Sequence, residues 1–274
     1  WALNQRTHRK LLIVDHEVAY IGGVNISRVY SSGSSGGRPA NAQVQCPWRD
    51  THARLRGPIV ADLQTLFLEH WFEQGGTVSA APREATHQRE PGPTWLALAA
   101  KAAGSRRNPL YRALLAMLRK ATRRILITTA YFVPTRRLVR ELRYAAERGV
   151  RVALMVPSTS DSWSAAHAGR SRYGELLASG VEIYEHCTSM QHAKTIVIDD
   201  DWCSIGSSNL DWRSLLHNAE ANVIAFDRRL AGELAHHFER DAASCARVTM
   251  DAWSRRSWTR QLCERLVRPF QFML

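Results

Sequence analysis

Two short segments of this 274-residue chain carry the same chemically capable residues in the same order. One reads His8-x-Lys10-x4-Asp15 and runs on through Gly22 to Asn25. The other reads His192-x-Lys194-x4-Asp199 and runs on through Gly206 to Asn209. Each residue of the first set recurs 184 positions later. A single His-x-Lys on a strand usually decorates a surface. The same pair duplicated in register with Asp, Gly and Asn marks an internal repeat built around a site.

Two imidazoles converging on one pocket suit a two-step displacement. One attacks an electrophilic centre while the other protonates the leaving group. Histidine supplies both a base and an acid near neutral pH, and such a pair titrates as a coupled unit. Lys10, Lys194, Asn25 and Asn209 are donors suited to the non-bridging oxygens of a phosphodiester, where transition-state charge accumulates. No carboxylate-rich cage lies near the motifs. The expected mechanism therefore uses no metal and no cofactor, with the lysines in the place Mg²⁺ takes elsewhere. A working histidine needs its second nitrogen held, usually by a carboxylate. Position in the repeat nominates Asp50 for His8 and Glu220 for His192. Asp15 and Asp199 belong to the repeated catalytic motif but fall at strand ends. They are expected to fix loop geometry or pair with a lysine rather than touch substrate.

The elements that position these residues read as follows. His and Lys alternate on a short strand and so share a face. An apolar run follows, 11–14 or 196–198, and reads as a buried strand. A turn and a second short strand lead to Gly-Gly-x-Asn or Gly-Ser-x-Asn, with glycine expected to let backbone approach a ligand. Asp50 opens a strand at 51–56 and Glu220 opens one at 221–226. The Ser/Gly-rich stretch 31–45 reads as a flexible loop inserted in the first copy. Each copy then enters an amphipathic helix, with Ile59, Leu63, Leu66, Phe67 and Trp71 on one face, and Leu230, Leu234 and Phe238 on the other helix.

Between the copies, helical patterns at 108–121, 135–148 and 171–178 alternate with strand patterns at 125–132, 150–156 and 181–184. Alternation of this kind implies a layered α/β fold. The stretch 75–104, rich in Gly, Pro, Thr and Ala, reads as a connector. The organisation expected is a first unit over 1–104 including the connector, and a second over 105–274. His192 follows a long α/β stretch and His8 follows seven residues, so the first unit is expected to be incomplete at its N-terminus.

A formal charge of +12 favours anionic partners: lipid head groups, nucleic acid or other phosphates. No apolar run approaches the roughly 18–20 residues that span a bilayer, and no signal-peptide core opens the chain. Five cysteines in no Cys-x-x-Cys arrangement suggest buried thiols rather than a disulfide framework or a zinc site. The tail mixes Trp253, Trp258, Leu262, Leu266, Phe270, Phe272 and Leu274 with Arg255, Arg256, Arg260, Arg265 and Arg268. That composition suits a membrane interface, and equally a terminal helix packed on the domain with a solvated basic face.

The two motifs resemble the paired HKD motifs of the phospholipase D superfamily. Within it, the stretch from Gly206 through Asn209, Asp211, Trp212 and Arg213 to Ser214 looks like the bacterial cardiolipin synthase subgroup. So do Tyr131-Phe132-Val133-Pro134, Asn218-x-Glu220-Ala221-Asn222 and Trp48-Arg49-Asp50-Thr51. The resemblance implies an α/β fold of two similar lobes, each a mixed β-sheet flanked by helices and each giving one motif to a shared cleft. It implies His8 as nucleophile and His192 as general acid and then base, in a phosphatidyl transfer between two phosphatidylglycerol molecules. The implied partners are an anionic phospholipid and a bacterial cell membrane, reached peripherally or through an anchor outside this chain. Two rivals use the same phosphohistidine: a phospholipase D that releases phosphatidic acid, and a nuclease. The absence of aromatic-basic stacking motifs counts against nucleic acid. An inactive, lipid-binding remnant is the non-enzymatic alternative. The oligomeric state is left open.

Overall fold

The computed structural model describes residues 6–30, 48–78, 91–105 and 107–273. The expected loop at 31–45 and Cys46 lie outside the described residues. The chain begins with strands β1 (Leu11–Val14), β2 (Val18–Gly22) and β3 (His52–Arg56), then helix α1 (Ile59–Glu73). It continues through β4 (Trp95–Lys101), α2 (Pro109–Lys120), β5 (Arg124–Thr128), α3 (Arg136–Glu147), β6 (Arg151–Pro157), α4 (Trp163–Arg170), α5 (Tyr173–Ala178) and β7 (Glu182–His186). The last stretch holds β8 (Thr195–Ile198), β9 (Trp202–Gly206), β10 (Glu220–Phe226), α6 (Arg228–Ala242), β11 (Ala246–Val248), α7 (Met250–Ser254) and α8 (Trp258–Val267).

Local chemistry explains where these elements start and stop. Asn108 caps α2 by accepting the Tyr111 N–H at 2.9 Å, with Pro109 at the first helical position. Thr135 caps α3 by accepting the Leu138 N–H at 3.1 Å, and Gly149, with φ +87°, ends it. Alternation then sorts the strands. Ile125, Ile127, Val152, Leu154, Ile196 and Ile198 enter one core beneath α2, α3 and α5. Leu126, Ala153, Met155 and Val197 enter a second core beneath α6 on the opposite face. This two-sided burial is why these strands read as continuous apolar runs.

The strands form a three-stranded sheet, β1-β2-β3, and an eight-stranded mixed sheet, β11-β7-β6-β5-β8-β9-β10-β4. The repeat is structural: β8-β9-β10 followed by α6 reproduces β1-β2-β3 followed by α1. In the second copy β8 also pairs antiparallel with β5. Among the described residues β1 pairs only with β2. The two sheets meet through a third core. Ala19 and Ile21 of β2 and Ile59, Val60, Leu63 and Leu66 of α1 pack on Ala221 and Val223 of β10. Burying each of the isoleucine, leucine and valine side chains here contributes about 1.5–3 kcal/mol, so packing fixes how the two motifs face each other.

Three expectations are corrected. The stretch read as connector contains β4, which pairs antiparallel with β10 along seven residues, so the larger sheet begins before residue 105. Its alternation is diluted by alanines, which hid the strand. On α1, Phe67 and Trp71 do not join the buried face. They stay 47% and 44% exposed, stacked with ring centroids 6.2 Å apart. The Gly of each Gly-x-x-Asn clears protein rather than ligand: a Cβ on Gly206 would lie 2.3 Å from Asn222 Cγ and 2.5 Å from Ala221 O on β10.

Candidate active site

Two quasi-equivalent backbone ties bring the motifs together. Thr7 bridges in parallel to Ala219, and Arg49 bridges in parallel to Gln191. The His8 N–H donates to Ala219 O at 2.9 Å, and the His192 N–H donates to Arg49 O at 2.7 Å. Each motif is thereby fastened to the residue just before the other copy's acidic residue. The carboxylates consequently cross over. His8 Nδ1 donates to Glu220 at 3.1 and 3.2 Å, and His192 Nδ1 donates to Asp50 Oδ2 at 2.8 Å. This reverses the expected assignment of Asp50 to His8 and Glu220 to His192. Repeat position locates the acid correctly within its own copy, but the sheets pack so that the strand start carrying it pairs with the opposite motif.

An ionised carboxylate only accepts hydrogen bonds. The proton of each neutral imidazole is therefore fixed on Nδ1, and the Nε2 lone pair is left available for chemistry. The lysines repeat the same symmetry. Lys10 Nζ donates to His8 O at 2.7 Å, and Lys194 Nζ donates to His192 O. Lys10 interacts with both Glu220 and Asp50, and Lys194 with Asp50, Lys10 and Glu220, so the two copies share one electrostatic cluster.

The halves differ in exposure. The His8 side chain is 29% exposed and that of His192 is 6% exposed, while both partner carboxylates are buried. Burial holds His192 below the usual histidine range, opposed by the bond to Asp50 and reinforced by Lys194 and Lys10. Burial also takes Lys194 down to about 7 and lowers Lys10. Asp211, buried behind the cluster, is pushed up to about 6 by desolvation and accepts the Ser214 N–H at 2.7 Å. Desolvation lowers His192, Lys10 and Lys194 alike, and the neighbouring lysines add to it at His192 and Lys194, so an anion bound beside them would favour their charged forms.

The remaining expected residues divide. Asn209 is 3% exposed, its N–H donates to Ser214 Oγ at 3.2 Å, and its side-chain oxygen has no protein partner. Its counterpart Asn25 is exposed and lies beside the Tyr30 hydroxyl. Asp15 and Asp199 are not brought to the cluster, which corrects their place in a catalytic set. Asp199 ends β8, about 16 Å from Lys194 at the rise of an extended strand. Its carboxylate accepts the N–H groups of Thr122, Arg123 and Arg124. Asp15 ends β1 in a tight hairpin with φ +52°, followed by His16 at +58°, a left-handed pair of the type I′ kind. Aspartate tolerates that conformation better than most side chains.

Two hydroxyls escaped the sequence reading. Ser207 donates to Glu220. The equivalent position in the first copy is Gly23, where a Cβ would sit 2.1 Å from Asp50 Oδ1. The missing hydroxyl comes instead from Tyr30, which donates to Asp50 Oδ2 at 3.0 Å and lies 3.1 Å from His192 Nδ1. Trp48 covers the same imidazole with ring centroids 5.1 Å apart. The Ser at 207 facing a Gly at 23 was the available signal for Ser207. No periodicity pointed to Tyr30.

Tyr30→Phe is expected to lower kcat by about tenfold, the order of a lost hydrogen bond to a charged group. Asp50 then carries more uncompensated charge and holds the His192 proton more strongly. The alkaline limb of the pH–rate profile therefore moves upward. A tyrosine that only packs leaves that limb where it was.

Duplicated motifs fastened crosswise around one cluster of histidines, lysines and carboxylates, on a mixed α/β scaffold, are similar to those of the phospholipase D superfamily. The family described as "Cardiolipin synthase, PLD-like domain" matches residues 114–242. The chain is 32% identical to Cardiolipin synthase 2 of Bacillus anthracis over 272 residues, covering 97% of this chain and 51% of that protein. It is 35% identical to Cardiolipin synthase B of Escherichia coli K12 over 261 residues, covering 93% of this chain and 60% of that protein. The chain thus spans about half the length of the curated relatives it matches. Its fold is also that of phosphatidylserine synthase from Haemophilus influenzae Rd KW20, with a TM-score of 0.72 over 100% of this chain and 72% of that one, at 14% identity.

Proposed function

We propose that this chain carries out phosphatidyl transfer through a covalent phosphohistidine, making cardiolipin and glycerol from two molecules of phosphatidylglycerol. The observation that carries the reading is the crossed pair of carboxylate–histidine bonds, which leaves both Nε2 atoms free of the carboxylates, in one electrostatic cluster with Lys10 and Lys194. Similarity to cardiolipin synthases supports the choice of lipid.

In the first step, neutral His8 attacks phosphorus through Nε2. The bond from phosphorus to the head-group glycerol oxygen breaks, and protonated His192 gives its proton to that oxygen. The more exposed imidazole suits the nucleophile, since a lipid phosphodiester must reach it. In the second step, His192 takes a proton from the free hydroxyl of a second phosphatidylglycerol, whose oxygen displaces His8. Lys10, Lys194 and Asn209 grip the non-bridging oxygens, with Asn25 at the rim. The incoming phosphate adds negative charge beside His192, so binding opposes the effect of burial and raises His192 toward the protonated form its acid role requires. A lipid substrate places the protein at a bacterial membrane surface. Among the described residues no helix is long and apolar enough to cross a membrane.

The deciding experiment incubates the chain with phosphatidylglycerol labelled on phosphorus, quenches it, and follows protein-bound label and products. Label retained by wild type and absent from His8→Ala, with cardiolipin and glycerol formed together, is the expected result. Phosphatidic acid as the main product overturns transfer in favour of hydrolysis. No bound label in wild type overturns the covalent route.

A further inference from the structure

The C-terminal helix turns its apolar face outward. Trp258, Leu262 and Leu266 of α8, continued by Phe270 in the 3-10 turn Arg268–Met273, recur every fourth residue and so form one stripe. They are 73%, 47%, 61% and 59% exposed. The side facing the protein carries Glu264, which is buried and accepts two bonds from Arg256 at 3.0 and 3.1 Å. Arg256 in turn lies 4.1 Å over the ring of Trp253. An amphipathic helix of a globular domain does the reverse, burying its stripe and solvating its charges. Polar anchors also fix the far end: the buried Arg172 donates to Gln271 at 3.0 Å. The stripe is therefore held outward by specific bonds. The helix thus packs on the domain, as one reading of the tail expects, and does so with its apolar stripe outward.

The stripe also lies at the end of the molecule that carries the site. Helix α8 packs on α4. Arg170 of α4 donates to Ser158 O at 3.0 Å, and a Cβ on Gly169 of α4 would lie 2.2 Å from Phe132 O. Ser158 and Phe132 follow β6 and β5 at the end where Thr128 pairs with Thr195, next to Lys194. Phe132 itself bridges to Leu210, next to Asn209. Trp163, which opens α4, is also 59% exposed. Arg255, Arg260, Arg265 and Arg268 are exposed around the stripe.

We propose that this face is a docking surface for an anionic bilayer, seating the protein with its site toward the lipid. The occupant follows from the chemistry. Tryptophan and phenylalanine suit the head-group boundary, leucines the acyl region, and exposed arginines a negatively charged surface. The proposal rests on the reading of the substrate as phospholipid, and its test separates the two. The chain is floated with vesicles of phosphatidylcholine containing phosphatidylglycerol, and with phosphatidylcholine vesicles alone. Wild type is expected to float with the anionic vesicles, more weakly as salt rises. Leu262→Asp combined with Leu266→Asp is expected to reduce that binding by at least about tenfold. Arg260→Glu combined with Arg265→Glu is expected to remove the preference for anionic vesicles. Circular dichroism checks that both variants fold, as exposed substitutions should. Turnover of short-chain phosphatidylglycerol, presented as monomers, is expected to be equal in wild type and the leucine variant.

Equal flotation of the leucine variant and wild type overturns docking and leaves the transfer reading intact. Absence of monomer turnover in wild type overturns transfer, while flotation still reports on docking. A wild type that does not float but forms a dimer, split by Leu262→Asp and Leu266→Asp, assigns the stripe to a second copy and also overturns docking.

Discussion

Asp50→Asn is expected to lower kcat/KM for phosphatidylglycerol by about 10³–10⁴-fold, the scale of replacing a histidine-orienting carboxylate by its amide elsewhere. Asparagine turns either an N–H or an oxygen toward His192 Nδ1. In the first case the imidazole moves its proton to Nε2 and presents the wrong tautomer. In the second the bond survives without the charge that stabilises the imidazolium. Glu220→Gln is expected to do the same to His8. Both substitutions are close to isosteric, so the fold should persist. The losses are therefore read as chemistry.

The crossed geometry makes these two variants distinguishable. Asp50 serves His192, and Glu220 serves His8, at 2.8 and 3.1 Å. A phosphatidyl ester of p-nitrophenol has a leaving group that needs no proton, so the first step should bypass the acid. In a single-turnover burst on that substrate, Asp50→Asn is expected to keep its p-nitrophenolate burst within about tenfold of wild type, while Glu220→Gln loses about 10³-fold. The opposite pattern would assign the nucleophile to His192. Equal losses would show that the acid and nucleophile are not divided between the copies as proposed.

That crossing marks how far the sequence could be read. Position in the repeat found Asp50 and Glu220 and the strands they open, because side-chain alternation and a fixed 184-residue offset are local properties. Which histidine each acid meets is set by how two sheets pack, through Ala19, Ile21, Ala221 and Val223, and no local signal encodes it. Tyr30 was invisible for a related reason: it reaches Asp50 and His192 from a 3-10 turn, with no period to reveal its direction. Strand β4 was hidden by its alanines and by the Gly/Pro-rich stretch before it, and its pairing with β10 supplies what its own pattern does not. In α8 the apolar period was legible but its direction was not. Period fixes that a stripe exists, and only the contacts of Glu264 and Gln271 fix which way it points.

Lys194→Met is expected to stabilise the protein while removing most of its activity. Lys194 is 2% exposed, and burial takes it from the ordinary 10.5 down to about 7. Its folded value lies below its unfolded value, the reverse of a lysine that gains a salt bridge on folding. Between pH 7 and 10 the unfolded chain keeps a proton on this side chain and the folded chain sheds it. Wild-type stability should therefore rise with pH across this window, by up to about 1.4 kcal/mol per unit from this group alone. Methionine matches the shape and removes the penalty, at the cost of the bond from Nζ to His192 O. The net gain near pH 7 is expected to be about 1–3 kcal/mol, or a Tm several degrees higher, and the gap to wild type should close toward pH 10. With Lys194 in its proposed phosphate-binding role, its loss should lower kcat/KM by about 10²–10³-fold at the same time. Thermal melts of both proteins at pH 7, 8.5 and 10, paired with rates, measure both effects. A lower Tm with a gap independent of pH would mean that Lys194 is a structural cation paired with Asp50 and Glu220. The combination of higher Tm and lost rate would instead mean that the fold carries this buried lysine for the anion it binds.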